Sequence, residues 1–363
     1  MRILQVITSL RTGGAEKIVA DIVPRLRSMG EDVDVALLDG EDTPFKEKLI
    51  ASGCKVYSFR KSSSVYNPLA ILWLRRLMKR YDVVHTHNSS PQLFAAIASV
   101  FSPAALVTTE HNTFNRRRHW KWYSVVDKWM YGRYDSVICI SDQAYDNLVS
   151  YLGKSSSVDK TRVIYNGVDI RSISQSEGLD RKTVCPESAG KFVVTMVAGF
   201  RSQKDQDTLI RAMAILPDNF MLWLVGDGER REELESMTER LHVTDKVKFW
   251  GVRTDIPAIL HASDAIVMSS HYEGLSLSSL EGMSVGKPFV ASDVDGLREV
   301  ITGAGELFPC QDETKLAGIL LRLSEDEAYR ESVAGKCHAR ALQYDIDKMV
   351  EGYREVYLSL KLK

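Results

Sequence analysis

Residues 270–293 read SHYEGLSLSSLEGMSVGKPFVASD, and the fold is decided here. One apolar run, Ala265–Met268, ends just before this stretch, and another, Pro288–Ala291, lies at its end. Between them Glu273 and Gly274 open a loop, and Leu275, Ser276 and Leu277 lead into a helical pattern that carries Glu281. Gly286-Lys287-Pro288 then turns into the second run. Strand, loop, helix, turn and strand make a parallel crossover unit, because a chain returns beside its neighbour in the same direction over a covering helix. Backbone N–H groups of such a loop and of a helix N-terminus can hold phosphate oxygens. A carboxylate about two turns further in can accept both hydroxyls of a ribose. Two glutamates eight apart occur often by chance; the spacing gains meaning from the strand, glycine, helix start and turn around it.

The same alternation runs outward in both directions. In the first half the β-rich runs are Ile3–Ile7, Val33–Leu38, Lys55–Phe59, Val83–His87, Leu106–Thr109, Val137–Ile140 and Arg162–Tyr165. In the second they are Phe192–Val197, Met221–Val225, Val247–Phe249, Ala265–Met268 and Pro288–Ala291. Near-continuous apolar strands with helices between them imply parallel sheets covered on both faces. The stretch from Asp169 to Gly190 is rich in Ser, Glu, Arg and Lys and breaks the rhythm, so it reads as a linker. The expected organisation is a Rossmann-like doubly wound domain over 1–170, a linker over 171–190, a second such domain over 191–344, and a final helix over 345–363. In that helix Ile346, Met349, Val350, Tyr353, Val356, Tyr357 and Leu360 recur at helical spacing. They form one face to be buried, against a partner that periodicity does not name.

Composition bounds the function. The 363 residues are 44% hydrophobic and 26% charged with a net charge of −1. These values suit a globular protein and give no global basic field for nucleic acid. Cys54, Cys139, Cys185, Cys310 and Cys337 are scattered without CxxC spacing, so reduced thiols in a cytoplasmic protein are expected rather than a disulfide or zinc framework. The N-terminal apolar run is too short for a signal peptide, and no run nears the ~18 apolar residues that span a bilayer.

Open parallel sheets bind ligands beyond the carboxyl ends of their strands. After the first strand come Thr12, Gly13 and Gly14; after the fourth His85, His87 and Asn88; after the fifth Glu110, His111 and Asn112. In the second half Arg201 and Lys204 follow one strand, Gly226-Asp227-Gly228 the next and Glu273 a later one. Gly13-Gly14 lets a backbone approach a ligand, although a plain tight turn explains it equally, and the pattern is not GxGxxG. Arg201 and Lys204, in GFRSQKDQDTLIRA, set two cations beside a helix start, as a diphosphate requires; solvated surface charge is the competing reading.

Glu273 and Glu281, with Gly-Lys-Pro at 286–288, resemble the retaining glycosyltransferases of family 4, which have the GT-B fold of two Rossmann-like domains facing a cleft. TGGAE, DVVHTHN, TEHN, ICIS and YNGVD match in order in the first half. The resemblance implies a UDP-, GDP- or ADP-sugar donor, UDP favoured, and no metal or other cofactor. It implies transfer of a hexosyl or N-acetylhexosaminyl group with retention, to a glycan or lipid-linked glycan. On this basis Arg201 and Lys204 would bind the donor diphosphate, Glu281 the ribose, and Glu273 would lie by the transferred sugar. His111 would lie near the reacting face, and Gly13-Gly14 would approach the phosphate or the acceptor. The final helix would cross back to the N-terminal domain. Two departures stand out: Gly199 occupies the usual arginine position, with Arg201 later, and Val294-Asp295-Gly296 replaces a frequent Gly-Gly. A nucleotide-sugar epimerase of the same fold and a non-catalytic nucleotide-sugar-binding protein are the alternatives.

Other features carry less. His85 and His87 share a strand face but lack a third metal ligand, so structural roles are expected. Asp32/Asp34 and Asp293/Asp295 have a metal-binding DxD spacing that this architecture does not need. The segment 114–134, with Arg116, Arg117, Arg118, Lys121, Trp122, Val126 and Trp129, reads either as a peripheral contact with an anionic membrane or as an ordinary helix with a buried stripe. Arg75, Arg76, Lys79 and Arg80 read as a solvated helix face.

Overall fold

Each expected apolar run becomes a parallel strand. A computed structural model describes residues 1–11, 13–61, 64–111 and 123–361, and the chain divides into two units, Met1–Asn166 with Ile346–Lys363, and Gly167–Asp345. Among the described residues the first unit holds β1 (Arg2–Ile7), β2 (Asp32–Leu37), β3 (Val56–Ser58), β4 (Val83–His87), β5 (Ala105–Glu110), β6 (Ser136–Cys139) and β7 (Thr161–Val163), ordered β3-β2-β1-β4-β5-β6-β7. The second holds β8 (Phe192–Val197), β9 (Phe220–Val225), β10 (Val247–Gly251), β11 (Ala265–Met268), β12 (Phe289–Ser292) and β13 (Glu306–Phe308), ordered β10-β9-β8-β11-β12-β13. Pairing within these sheets is parallel. The fold is GT-B, with one doubly wound sheet per unit.

Central strands explain the unbroken apolar runs. All six residues of β9, FMLWLV, are buried, because helices cover both faces and no side chain meets water. In each unit the order reverses between two neighbours, β1 and β4 in the first and β8 and β11 in the second. Loops leaving these pairs diverge to opposite faces and leave a crevice at the strands' carboxyl ends.

Two expectations need correction, and one strand has no counterpart among the expected runs. The short strand β13 reads Glu-Leu-Phe, too brief for a periodic signal. The segment read as a linker folds onto the second unit as helical turns at Ile170–Ser174, Arg181–Val184 and Pro186–Ser188. Cys185 joins the core with Val193, Trp223 and Ile259, and Arg181 pairs with Asp264 at 2.9 Å. A few anchoring residues suffice there, too sparse for periodicity to register. Finally, the helix Tyr123–Arg133 buries Asp127, Met130 and Tyr131 while Trp129 is exposed, so Trp129 is not part of a buried stripe. Arg116, Arg117, Arg118, Lys121 and Trp122 lie outside the described residues.

The C-terminal helix Ile346–Lys361 belongs to the first unit. Ile346, Met349, Val350, Tyr353, Val356 and Tyr357 are all buried, and large apolar side chains contribute ~1.5–3 kcal/mol each on burial. Arg354 binds Glu31 at 3.0 Å and Arg25 binds Asp347 at 3.1 Å. The five cysteines are free, with only Cys310 exposed.

Candidate functional site

In the second unit the loops after β8 and β11 are stitched together. The ammonium of Lys204 forms an ion pair with Oε1 of Glu273, and both side chains are largely buried. The hydroxyl of Ser270 donates to the same oxygen at 2.7 Å. Ser292, at the end of β12, donates to the Ser270 carbonyl at 2.5 Å. The His271 amide donates to the Gln203 carbonyl at 2.8 Å, and Gln203 Nε2 to the Tyr272 carbonyl at 2.9 Å. Lysine has three N–H donors and only one faces Glu273, so the remaining donors can serve an anion.

The helix N-termini differ from each other. Asp205, in the left-handed region at φ 48°, caps the helix Gln206–Ile215 with its own side chain. One first-turn amide of that helix, that of Thr208, is thus already satisfied by a carboxylate. The helix Leu277–Ser284 has Ser276 at its N-cap with no side-chain capping bond, so its first-turn amides are not occupied by a cap. Glu281 is on this helix, half-buried and interacting with a neighbour. Gly286, at φ +67°, follows its end and makes the left-handed turn that the Gly-Lys-Pro sequence needs. Burial pushes the Lys287 ammonium below its usual range. Arg201 is exposed.

Gly296, which the family resemblance singled out only as part of a departure, props the loop. A Cβ there would lie 2.3 Å from the Glu273 carbonyl oxygen and 2.6 Å from that of Gly274. The helix Asp295–Ile301 therefore packs directly under the Glu273 backbone. No periodic signal could have found this close approach.

In the first unit β4 and β5 bring together His85, His87 and His111. His111 Nε2 is 2.8 Å from His87 Nδ1, and His87 Nε2 is 2.8 Å from Gln5 Oε1. His85 lies between Tyr357 and Thr109 at 2.5 and 2.7 Å. Burial lowers all three histidines, His111 to about 4, so each is neutral near pH 7. Both nitrogens of His85 and His87 are committed to these bonds, and among the described residues no group of three His, Cys, Asp or Glu is placed to hold a metal. Glu110 is held inward by Gln92 and Tyr131, each at 2.6 Å.

Gly13 is the N-cap of the helix Gly14–Ser28, with the Glu16 carboxylate folded over it. Glu16 is also reached by Asn88 Nδ2 at 3.3 Å, and burial pushes its carboxyl upward. Thr12 and Asn112, beside these residues, lie outside the described set. The DxD-like pairs are absorbed structurally. Asp34 accepts from Tyr81 at 2.7 Å, and Arg298 holds Asp293 and Asp295 at 2.5 and 3.1 Å.

A doubly wound pair of units with cation, carboxylate and uncapped amides at one switch point defines a GT-B glycosyltransferase. Comparison with known proteins agrees: residues 12–172 match the model for Glycosyltransferase Family 4, and residues 182–336 that for Glycosyl transferases group 1. The chain belongs to this glycosyltransferase family. It resembles HepE of Anabaena, solved in complex with UDP-glucose, at 27% identity and TM-score 0.87 over 99% of this chain and all of that one. It is 25% identical over 365 residues, 91% of this chain and 90% of the relative, to the UDP-Gal:alpha-D-GlcNAc-diphosphoundecaprenol alpha-1,3-galactosyltransferase of Escherichia coli. It is 35% identical over 172 residues to the lipopolysaccharide core biosynthesis glycosyltransferase LpsD of Rhizobium meliloti, a match covering 47% of this chain and 50% of that protein. No helix among the described residues is long and apolar enough to cross a membrane.

Proposed function

We propose that this glycosyltransferase moves a hexosyl or N-acetylhexosaminyl group from a UDP-sugar to a glycan or lipid-linked glycan, with retention at the anomeric carbon. The observation that carries the reading is the Lys204–Glu273 pair beside the uncapped start of the helix Leu277–Ser284. In this reading the amides of Gly274, Leu275, Ser276 and Leu277 and the cations of Arg201 and Lys204 hold the diphosphate. Glu281 accepts from the ribose. Glu273, already oriented by Lys204 and Ser270, lies against the sugar that becomes positively charged as its bond to phosphate lengthens. His111 and the Gly13-Gly14 turn are the candidate residues of the first unit. The acceptor attacks from the face the diphosphate leaves, and the departing diphosphate takes the acceptor's proton. Fixed cations stabilise that departing charge, so no metal or other cofactor is assigned to the step. The relatives named for UDP-glucose and UDP-galactose support UDP as the donor base.

A thermal-shift screen with UDP, GDP and ADP and their common sugars tests the donor. Stabilisation follows RT ln(1 + [L]/Kd), so UDP at millimolar concentration should raise Tm above the other two. A larger shift with GDP or ADP would overturn the choice of base, and no shift with any would overturn the donor site.

A further inference from the structure

An ordered polar chain runs through the first unit from His111 to the C-terminal helix, and one amide sets its direction. Gln5, on β1, has Oε1 2.8 Å from His87 Nε2 and Nε2 3.1 Å from the Tyr357 hydroxyl. An amide oxygen only accepts, so His87 carries its proton on Nε2 and its Nδ1 is a lone pair. That lone pair is 2.8 Å from His111 Nε2, which must then donate, leaving His111 Nδ1 without a proton. In the other direction the Gln5 amide donates to Tyr357, whose own proton goes to His85 Nδ1 at 2.5 Å. His85 Nε2 donates to Thr109 at 2.7 Å, and Thr109 to Tyr353 at 3.5 Å. Turning the Gln5 amide over would reverse the chain and move the His111 proton to Nδ1.

We infer that Gln5 and Tyr357 are positioning residues that lock His111 in the Nε2–H tautomer and present its Nδ1 as an acceptor. Which nitrogen of a histidine is protonated is set by the bond the other one makes. Here that bond is dictated by Gln5, whose amide is held in turn by Tyr357, 352 positions away in the chain. Gln5, Tyr357, His85 and His87 are fully buried, so water cannot substitute for a missing link. The consequence for turnover rests on the assignment of His111 to the reaction; the tautomer does not.

The test uses the full chain labelled with 15N at histidine, with the His111 signals assigned by loss in His111→Asn. Ring nitrogen shifts should report His111 as the Nε2–H form in the unaltered protein. Tyr357→Phe removes only the hydroxyl and Gln5→Leu removes the amide; both should give mixed tautomers at His111. Tyr353→Phe, which touches only the last bond, should leave His111 unchanged. With UDP-glucose hydrolysis as readout, Tyr357→Phe should lower kcat about two- to tenfold, the worth of one ordinary hydrogen bond, with KM retained. An Nδ1–H form in the unaltered protein overturns the inference, as does an unshifted His111 in both Tyr357→Phe and Gln5→Leu. Normal turnover by His111→Asn would instead overturn the assignment of His111 to the reaction, which the tautomer measurement does not depend on.

Discussion

Lys204 and Glu273 stand 69 positions apart in the chain and meet as an ion pair. Lys204 follows β8, Glu273 follows β11, and these two strands are hydrogen-bonded neighbours. A largely buried pair of this kind offsets the desolvation of both charges, but removing one partner strands the other. The pair therefore ties the stability of the second unit to the binding chemistry proposed for it, and the two can be separated by substitution.

Lys204→Ala should lower Tm, because Glu273 loses its counter-charge, and should weaken UDP about tenfold to a hundredfold, since a charged hydrogen bond is worth about 1.5–3 kcal/mol. The double variant Lys204→Ala/Glu273→Gln should recover Tm without recovering UDP affinity. Calorimetry with UDP and uridine makes the comparison. Equal losses for both ligands would remove Lys204 from the phosphate.

The two glutamates should fail differently. Glu281→Gln keeps shape but weakens acceptance of ribose hydroxyls, so donor KM should rise with kcat little changed. Glu273→Gln should lower kcat more than it raises KM, the mark of an interaction that strengthens in the transition state. Steady-state kinetics of UDP-glucose hydrolysis distinguish them. If Glu273→Gln turned over normally, the reaction centre would lie elsewhere.

Gly296→Ala should disturb the site although residue 296 is not assigned to bind anything. Its Cβ would fall 2.3 Å from a backbone oxygen of Glu273, and backbone cannot yield as a side-chain tip can. Overpacking of this kind costs about 1–3 kcal/mol, and turnover should drop with it. Gly318→Ala is the control, since nothing lies within 4 Å of a Cβ there and alanine favours the helix. Equal Tm for the two variants would refute the buttress.

Acid should unfold the first unit through its histidines. His85, His87 and His111 have folded pKa values below the usual 6.5, His111 at about 4, first from burial and, for His85 and His87, also from the neighbouring histidines. The unfolded chain binds protons first, so stability is full above about pH 6.5 and falls as pH drops through the window toward 4. The slope is at most about 1.4 kcal/mol per pH unit for each histidine. Denaturant titrations between pH 7 and 5 measure it, and His87→Gln should flatten the curve. An unchanged slope in that variant would show that His87 is not buried neutral.

Chelation should leave turnover intact. Arg201 and Lys204 supply positive charge for the leaving diphosphate in the proposed reaction. Activity lost with EDTA and restored by manganese would transfer that electrostatic role to a metal.

Much of the fold was legible because parallel strands buried on both faces leave continuous apolar runs. Phe192–Val197 and Ala265–Met268 are the same residues in sequence pattern and in structure. Elements held by few contacts were not legible: β13 is three residues long, and the turns over 171–190 are anchored by isolated side chains such as Cys185. Trp129 shows the limit of periodicity, since an apolar residue at helical spacing can still face solvent.

The candidate residues were readable one loop at a time, from glycines, charges and a helix start placed after strands. That Lys204 reaches Glu273 is decided by strand order, which places β8 beside β11 although two strands, β9 and β10, and their helices intervene in the chain, and leaves no trace in local pattern. The amphipathic face of the last helix announced that it must be buried; only the tertiary structure decided that Tyr357 ends against Gln5 and His85. Local sequence determines secondary structure because propensity and periodicity act over a few residues. Hydrogen-bond partners far apart in sequence are chosen by how whole elements pack, where each buried polar atom must find whatever donor or acceptor the neighbouring element brings.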